Sequence, residues 1–317
     1  MKKLVLISML LIFQAFTFAK EASNVTSLQP IQVAASTWYV QGVSALGSPI
    51  NRNFISNAGF VVTPKSVVVI DALGSPALAE ELLARIKEIT PNPVTHVIVT
   101  HYHADHVYGL QVFKKLGATI IAHEIAKEYI NSETAAQRLK DSRITLAPWV
   151  NEKTQLTPAT EWVAGETPKT LTIDGVEFVL KHVGEAHTPE DMVVFVPSEK
   201  VLFAGDIVFR SRIPYVGPTA DSAHWIDALN DMLKLDIKTI VPGHGATSEN
   251  AKSDLTLTRD YLIFLRQAMR QGARDLDPFD EVYARTDWSK FQGLPLFKAA
   301  NRMNAYNTYI KISEEKN

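Results

Sequence analysis

Val99-Thr100-His101-Tyr102-His103-Ala104-Asp105-His106 places three imidazoles and one carboxylate within six positions, directly after an apolar run. With nine histidines among 317 residues, such clustering is not an effect of composition. A strand sends alternate side chains to one side, so His101 and His103 share a face, while the turn beyond swings Asp105 and His106 toward a neighbouring point. The stretch predicts two cations close together, and metal-assisted hydrolysis as the chemistry they serve.

The cluster needs further donors, and three later segments offer them. His187 lies in Gly184-Glu185-Ala186-His187-Thr188-Pro189, Asp206 ends the apolar run Val201-Leu202-Phe203-Ala204-Gly205, and His244 lies in Val241-Pro242-Gly243-His244-Gly245. Each follows a predicted strand. In layered α/β folds that edge is where loops converge on ligands, and small residues such as Gly205 and Gly243 let backbone approach closely. Five histidines with two aspartates suit a borderline cation, two Zn2+ in the first instance; iron and manganese accept the same donors.

In order and spacing, His-x-His-x-Asp-His, the distant Gly-x-x-His-Thr-Pro loop, the strand ending Gly-Asp and the Pro-Gly-His-Gly turn resemble the metallo-β-lactamase-fold superfamily. The resemblance runs from about Asn57 to Thr247 and takes in the strand Val67-Val68-Val69-Ile70 ending at Asp71. It implies that His101, His103 and His187 hold one metal, that Asp105, His106 and His244 hold the other, and that Asp206 bridges them. It also implies that a solvent hydroxide between the ions attacks an ester, thioester, lactone or amide carbonyl. Asp105, besides holding metal, is suited to orient that hydroxide and carry its proton to the leaving group, and is the candidate catalytic residue.

No cysteine is present, so no thiolate serves as ligand or nucleophile. The best-known β-lactamase subclass resembles this pattern except for a Cys where Asp206 stands, which weighs against β-lactam hydrolysis. An Asp at that place resembles glyoxalase II, lactonases and the periplasmic SoxH-like or quinoprotein-relay-type zinc metallohydrolases. His103 argues against the flavodiiron branch, which has Glu there. A mononuclear iron persulfide dioxygenase, which uses part of the same donor set, is the alternative from another class.

Lys2 and Lys3, the apolar stretch that follows, and Thr17-Phe18-Ala19 read as a secretory signal peptide over residues 1–19. The stretch is shorter than the roughly 20 residues a spanning helix needs. A periplasmic or secreted protein, free of the membrane after cleavage, is therefore expected. The net charge of -2, without long basic or acidic blocks, removes the electrostatic case for nucleic-acid binding and leaves a small-molecule substrate. Oligomeric state has no signature.

Alternating strand and helix patterns fill residues 20–248, the expected hydrolase domain. Strands are predicted near 37–42, 59–63, 66–71, 94–100 and 119–122, then near 170–173, 176–182, 192–197, 200–205 and 239–241. Helices are predicted from Ser75-Pro76 to Ile89, over 105–116 and over 222–233. The pattern fits an α/β fold, and the resemblance implies the four-layer αββα sandwich. Residues 124–160 form an insertion able to roof the site, with Trp149 and Trp162 read as packing residues. Residues 249–317 read as a C-terminal helical extension packed on the core, with Leu255, Leu262, Leu265 and Met269 at helical spacing. His96, His182 and His224 read as structural or surface groups, while His123 could support the centre or cap a helix. Arg210, Arg212 and Tyr215 border Asp206, where a cation could hold a substrate carboxylate, although a salt-bridged arginine pair fits equally.

Overall fold

The computed structural model describes residues 27–315; the expected signal peptide lies outside them. Two sheets face each other. The first holds, in spatial order, β1 (Ile31–Gln32), β2 (Thr37–Val40), β3 (Ala58–Val62), β4 (Val67–Ile70), β5 (Val94–Ile98), β6 (Thr119–His123) and β7 (Glu161–Val163). Neighbours are antiparallel up to β4 and parallel from β4 to β7. The second sheet runs β12, β11, β10, β9, β8, built from β8 (Lys169–Ile173), β9 (Val176–His182), β10 (Met192–Val196), β11 (Val201–Phe209) and β12 (Thr239–His244). Only its β11–β12 pair is parallel.

The period-2 alternation of the strands builds the layers. Val67, Val69, Val97, Ile120 and Ala122 pack outward on the helix α1 (Pro76–Ile89) and on α2 (Ala104–Val107) and α3 (Leu110–Lys115). Val68, Ile70, Ile98 and Ile121 face inward and meet Phe178, Leu180, Val194, Phe203 and Val241 of the other sheet. Leu202, Ala204 and Ile240 point to the far side, onto α6 (Ser222–Met232), α7 (Ala251–Asp275), α8 (Phe279–Arg285) and α9 (Phe297–Glu314). The fold is thus helix, sheet, sheet, helix. The insertion supplies α4 (Ala126–Ile130) and α5 (Glu133–Thr145).

Local chemistry explains the boundaries. Ser75 caps α1 by accepting from the Leu78 amide, Pro76 occupies the first turn, and Leu78, Ala79, Leu82 and Ile86 form its buried stripe. The single helix expected over 105–116 is two short ones, interrupted at Tyr108 and Gly109. A Cβ at Gly109 would lie 2.0 Å from the Ala72 carbonyl oxygen, so the chain there is pressed against the end of β4. β11 is longer than expected, running past Asp206 to Phe209 with every residue buried. Among the described residues no helix is long and apolar enough to cross a membrane. Trp162 packs on the first core, whereas Trp149 donates to the Pro49 carbonyl.

Candidate metal centre

The predicted donors come from both sheets: one group follows β5, His187 lies in the loop between β9 and β10, Asp206 lies within β11 and His244 ends β12. His101 and His103 follow β5, and Asp105 and His106 sit in α2, where the chain turns sharply beyond the strand. Gly205 has φ of 51°, and a Cβ there would lie 2.7 Å from Thr100 Oγ1. The β11–β12 register shifts on both sides of Gly205, a bulge that turns Asp206 toward the edge. Across from it, a Cβ at Gly243 would meet Asp206 Oδ1 at 2.1 Å, so only glycine lets β12 pass and deliver His244.

These side chains gather in two adjacent groups: His101, His103, His187 and Asp206 in one, Asp105, His106 and His244 in the other, the donor atoms of each lying within 4.8 Å of one another. Asp206 reaches both. Its Oδ1 is 3.2 Å from His106 Nε2, and its Oδ2 is 3.3 Å from both His187 Nε2 and His244 Nε2 and 3.9 Å from His101 Nε2. Asp105 Oδ2 lies 3.3 Å from His244 Nε2 and 3.6 Å from His106 Nε2. His101 Nε2, His106 Nε2 and Asp206 Oδ1 are buried without a hydrogen-bond partner, a costly arrangement unless a cation satisfies them. His103 Nδ1 and His187 Nε2 face each other at 2.9 Å. The donor set fits two cations.

Surrounding groups fix the rings of His106, His187 and His244. Asp71 accepts from the Thr100 amide, the Thr100 hydroxyl and His106 Nδ1, turning His106 Nε2 inward. His187 Nδ1 donates to the Tyr215 carbonyl, which leaves Nε2 as a lone pair. The His187 loop is closed by Asp191, which accepts from the amide and hydroxyl of Thr188. His244 Nδ1 donates to the Ile55 carbonyl, and Asn57 ties the same turn by donating to the Pro242 and Gly245 carbonyls.

Burial keeps His101, His103 and His187 neutral, the form that binds metal, with His103 lowered to about 3. At His106 and His244 burial also opposes charge, but the carboxylates of Asp206 and Asp105 outweigh it, and Asp71 adds to them at His106; both imidazoles are raised. Asp105 and Asp206 are correspondingly lowered by His106 and His244 despite burial. Cation entry at the second group therefore expels protons.

Several functional residues carry no sequence signal. In α9, Asn304 Oδ1 accepts from the Val216 amide at 2.9 Å and its Nδ2 donates to the Pro214 carbonyl at 2.7 Å, clamping the segment whose Tyr215 carbonyl holds His187. Asn304→Leu should leave buried polar groups unpaired at about 1–3 kcal/mol each. It should also weaken metal binding at the His187 group by about 10- to 100-fold, as loss of an outer hydrogen bond does. Thermal melts and zinc titration against a chromophoric chelator check both effects; unchanged affinity would remove the C-terminal extension from the support of the centre.

The remaining candidates lie elsewhere. Arg210 donates to the Ala246 and Thr247 carbonyls and pairs with Asp254, and so serves the fold. Arg212 is buried over the Phe209 ring, 3.2 Å from His244 Nδ1. His123 stacks on His182 at 3.8 Å and bonds the Gly165 carbonyl, capping no helix. His182 bridges Glu166 and the Pro189 carbonyl, His96 bonds the Thr95 hydroxyl, and His224 opens α6 beside Gly184. Beside the centre opens a cleft of about 300 Å³, lined by His103 and His187 of the centre, by Tyr129 and Arg138 of the insertion, and by Tyr215 and Pro218.

A sequence profile described as the Metallo-beta-lactamase superfamily matches residues 51–244. The alpha subunit of 2,4-dinitroanisole O-demethylase from a Nocardioides species is 28% identical over 228 residues, 70% of this chain and 63% of the relative. Metallo-beta-lactamase IND-1 of Chryseobacterium indologenes is 28% identical over 197 residues, 61% of this chain and 73% of the relative. Among solved structures, a metallo-beta-lactamase from Pontibacter korlensis superposes with a TM-score of 0.58 at 23% identity, covering 74% of this chain and 99% of its own. The sec-alkyl sulfatase PisA1 gives 0.69 at 19% identity, covering 92% of this chain but only 51% of its own, so the shared fold there includes much of the C-terminal extension. The chain thus spans less than two thirds of the demethylase subunit and about half of the sulfatase.

Proposed function

This chain belongs to the metallo-beta-lactamase superfamily of metal-dependent hydrolases, and from that premise we propose that it is a binuclear zinc hydrolase of small acyl compounds, cleaving an ester, thioester, lactone or amide. The observation that carries this reading is the meeting of seven donors from four separate segments, with three buried donor atoms left without partners. Two cations held there would supply a water of lowered pKa and a Lewis acid beside the acyl oxygen. Water adds across the acyl bond, leaving a carboxylic acid and an alcohol, thiol or amine.

The side chains divide the remaining work. Asp206, 4% exposed, is sealed beneath the centre and offers an oxygen to each donor group. Asp105, at 17%, is the more accessible of the two carboxylates, and its side chain can take the proton of the attacking water and pass it to the leaving group. The cleft walls orient the substrate and exclude bulk water. Zinc is proposed as the metal because it needs no redox change to activate water, while the same imidazoles and carboxylates also accept iron. Export through residues 1–19 belongs to the same proposal, with Lys20 as the first residue of the mature protein.

β-Lactam hydrolysis is the second reading, favoured by the likeness to IND-1 and opposed by the Asp206 carboxylate and the lack of any cysteine. A panel of glutathione thioesters, lactones, p-nitrophenyl esters and nitrocefin, run on zinc-loaded protein, tests both. Turnover of an acyl substrate, lost on chelation and restored by zinc, is expected. One iron per chain with oxygen consumption, or metal binding without acyl turnover, would overturn the proposal.

A further inference from the structure

Ile125, Pro189 and Pro218 give the cleft apolar walls, as small-molecule sites have, with a few polar groups among them. Those groups are unevenly used. Glu190 already accepts from the Tyr102 amide, and burial pushes its carboxyl up toward the neutral form. Thr188 is spent on Asp191. Arg138, in the middle of α5, has no carboxylate within ion-pair distance among the described residues; Arg143, one turn further along the same helix, has Glu152. Glu128 borders the same cleft from α4, yet forms no pair with Arg138. Arg138 is exposed to solvent and lines the same cleft as His103 and His187, so its guanidinium is accessible to a ligand entering there. Tyr129 and Tyr215 line the same space.

We propose that Arg138 is an anion subsite for the substrate: a short acyl compound whose scissile carbonyl lies over His103 and His187, whose apolar middle rests on Ile125, Pro189 and Pro218, and whose far end carries a carboxylate or sulfate. A planar guanidinium matches both groups through paired N–H donors. The arginine pair beside Asp206 cannot take this part, because Arg210 is consumed by Ala246, Thr247 and Asp254, and Arg212 is buried against His244 outside the cleft lining. This inference deepens the hydrolase reading and rests on it for the placement of the carbonyl. The subsite itself does not depend on turnover.

The test compares two esters of equal length on the zinc-loaded full chain: p-nitrophenyl hydrogen glutarate, with a terminal carboxylate, and p-nitrophenyl pentanoate, with a methyl in its place. The ratio of their kcat/KM values should favour the glutarate ester and fall by about 10- to 100-fold in Arg138→Gln, the range expected for loss of a charged hydrogen bond. Most of the change should lie in KM. Arg138→Lys should restore part of the ratio, and Lys140→Gln, on the same helix but outside the cleft, should keep it. An unchanged ratio in Arg138→Gln overturns the subsite.

Calorimetric binding of hexanoate and of hexyl sulfate provides a readout without turnover, and shows which anion fits. If neither ester is hydrolysed while anion binding still weakens in Arg138→Gln, the subsite stands and the hydrolase reading falls. Binding equal in both proteins, or absent from both, overturns the subsite.

Discussion

Asp206→Ala is expected to reduce the metal content from two ions per chain to one or none, and to lower acyl hydrolysis by about 10³-fold or more, roughly 4 kcal/mol of transition-state stabilisation. No other donor approaches so many partners: its two oxygens lie within 3.2 to 3.9 Å of His101, His106, His187 and His244. Losing it removes a shared oxygen and the negative charge that offsets two cations in a buried site. Alanine also frees the space that Gly243 is kept small to preserve, so no neighbouring side chain takes over. Asp206→Asn keeps the shape without the charge and should fall between. Metal analysis with circular dichroism separates loss of the centre from loss of the fold. Two tightly held ions and full activity in the alanine variant would refute the bridging role.

Truncation after Ser248 is expected to abolish cooperative folding. The helices beyond it cover the outer face of the second sheet, where Leu255, Leu262, Leu265 and Met269 of α7 and Phe291 and Ile312 are buried. Burying a large aliphatic side chain contributes about 1.5–3 kcal/mol, so four of them amount to roughly 6–12 kcal/mol. That is comparable with the whole stability of a typical domain, about 5–15 kcal/mol. The same cut exposes Leu202, Ile207 and Ile240 and removes Asn304 from the loop that steadies His187. The extension is therefore continuous with the core. A soluble 27–248 fragment with a single sharp melt would contradict this, and calorimetry of the purified fragment decides it.

Much of the centre could be read from the chain because metal donors are few in kind. Three histidines in six positions announce themselves, and His187, Asp206 and His244 each stand near a glycine at or after an apolar run. The unbroken apolar runs Val67 to Ile70 and Val201 to Ala204 likewise mark strands buried on both faces. Local details were less legible. The break at Gly109 comes from the Ala72 carbonyl, and the bulge at Gly205 from Thr100, both contacts made only once the chain has folded. The supporting residues were least legible. Asn304 reaches Val216 across 88 positions, and Asn57 reaches Gly245 across 188. Arg210 and Arg212 drew notice by proximity to Asp206 in sequence, while Arg138, in an insertion with no motif, is the cation that borders the cleft. Nearness along the chain misdirects where a site is assembled from loops.

The most direct measurement is anomalous diffraction at the zinc edge on crystals of the metal-loaded protein. Two peaks about 3.5–4 Å apart are predicted, the spacing of paired catalytic metals. One should lie among His101, His103 and His187, the other among Asp105, His106 and His244, with Asp206 between them. A single peak, or peaks remote from these side chains after loading with excess zinc, would contradict the account.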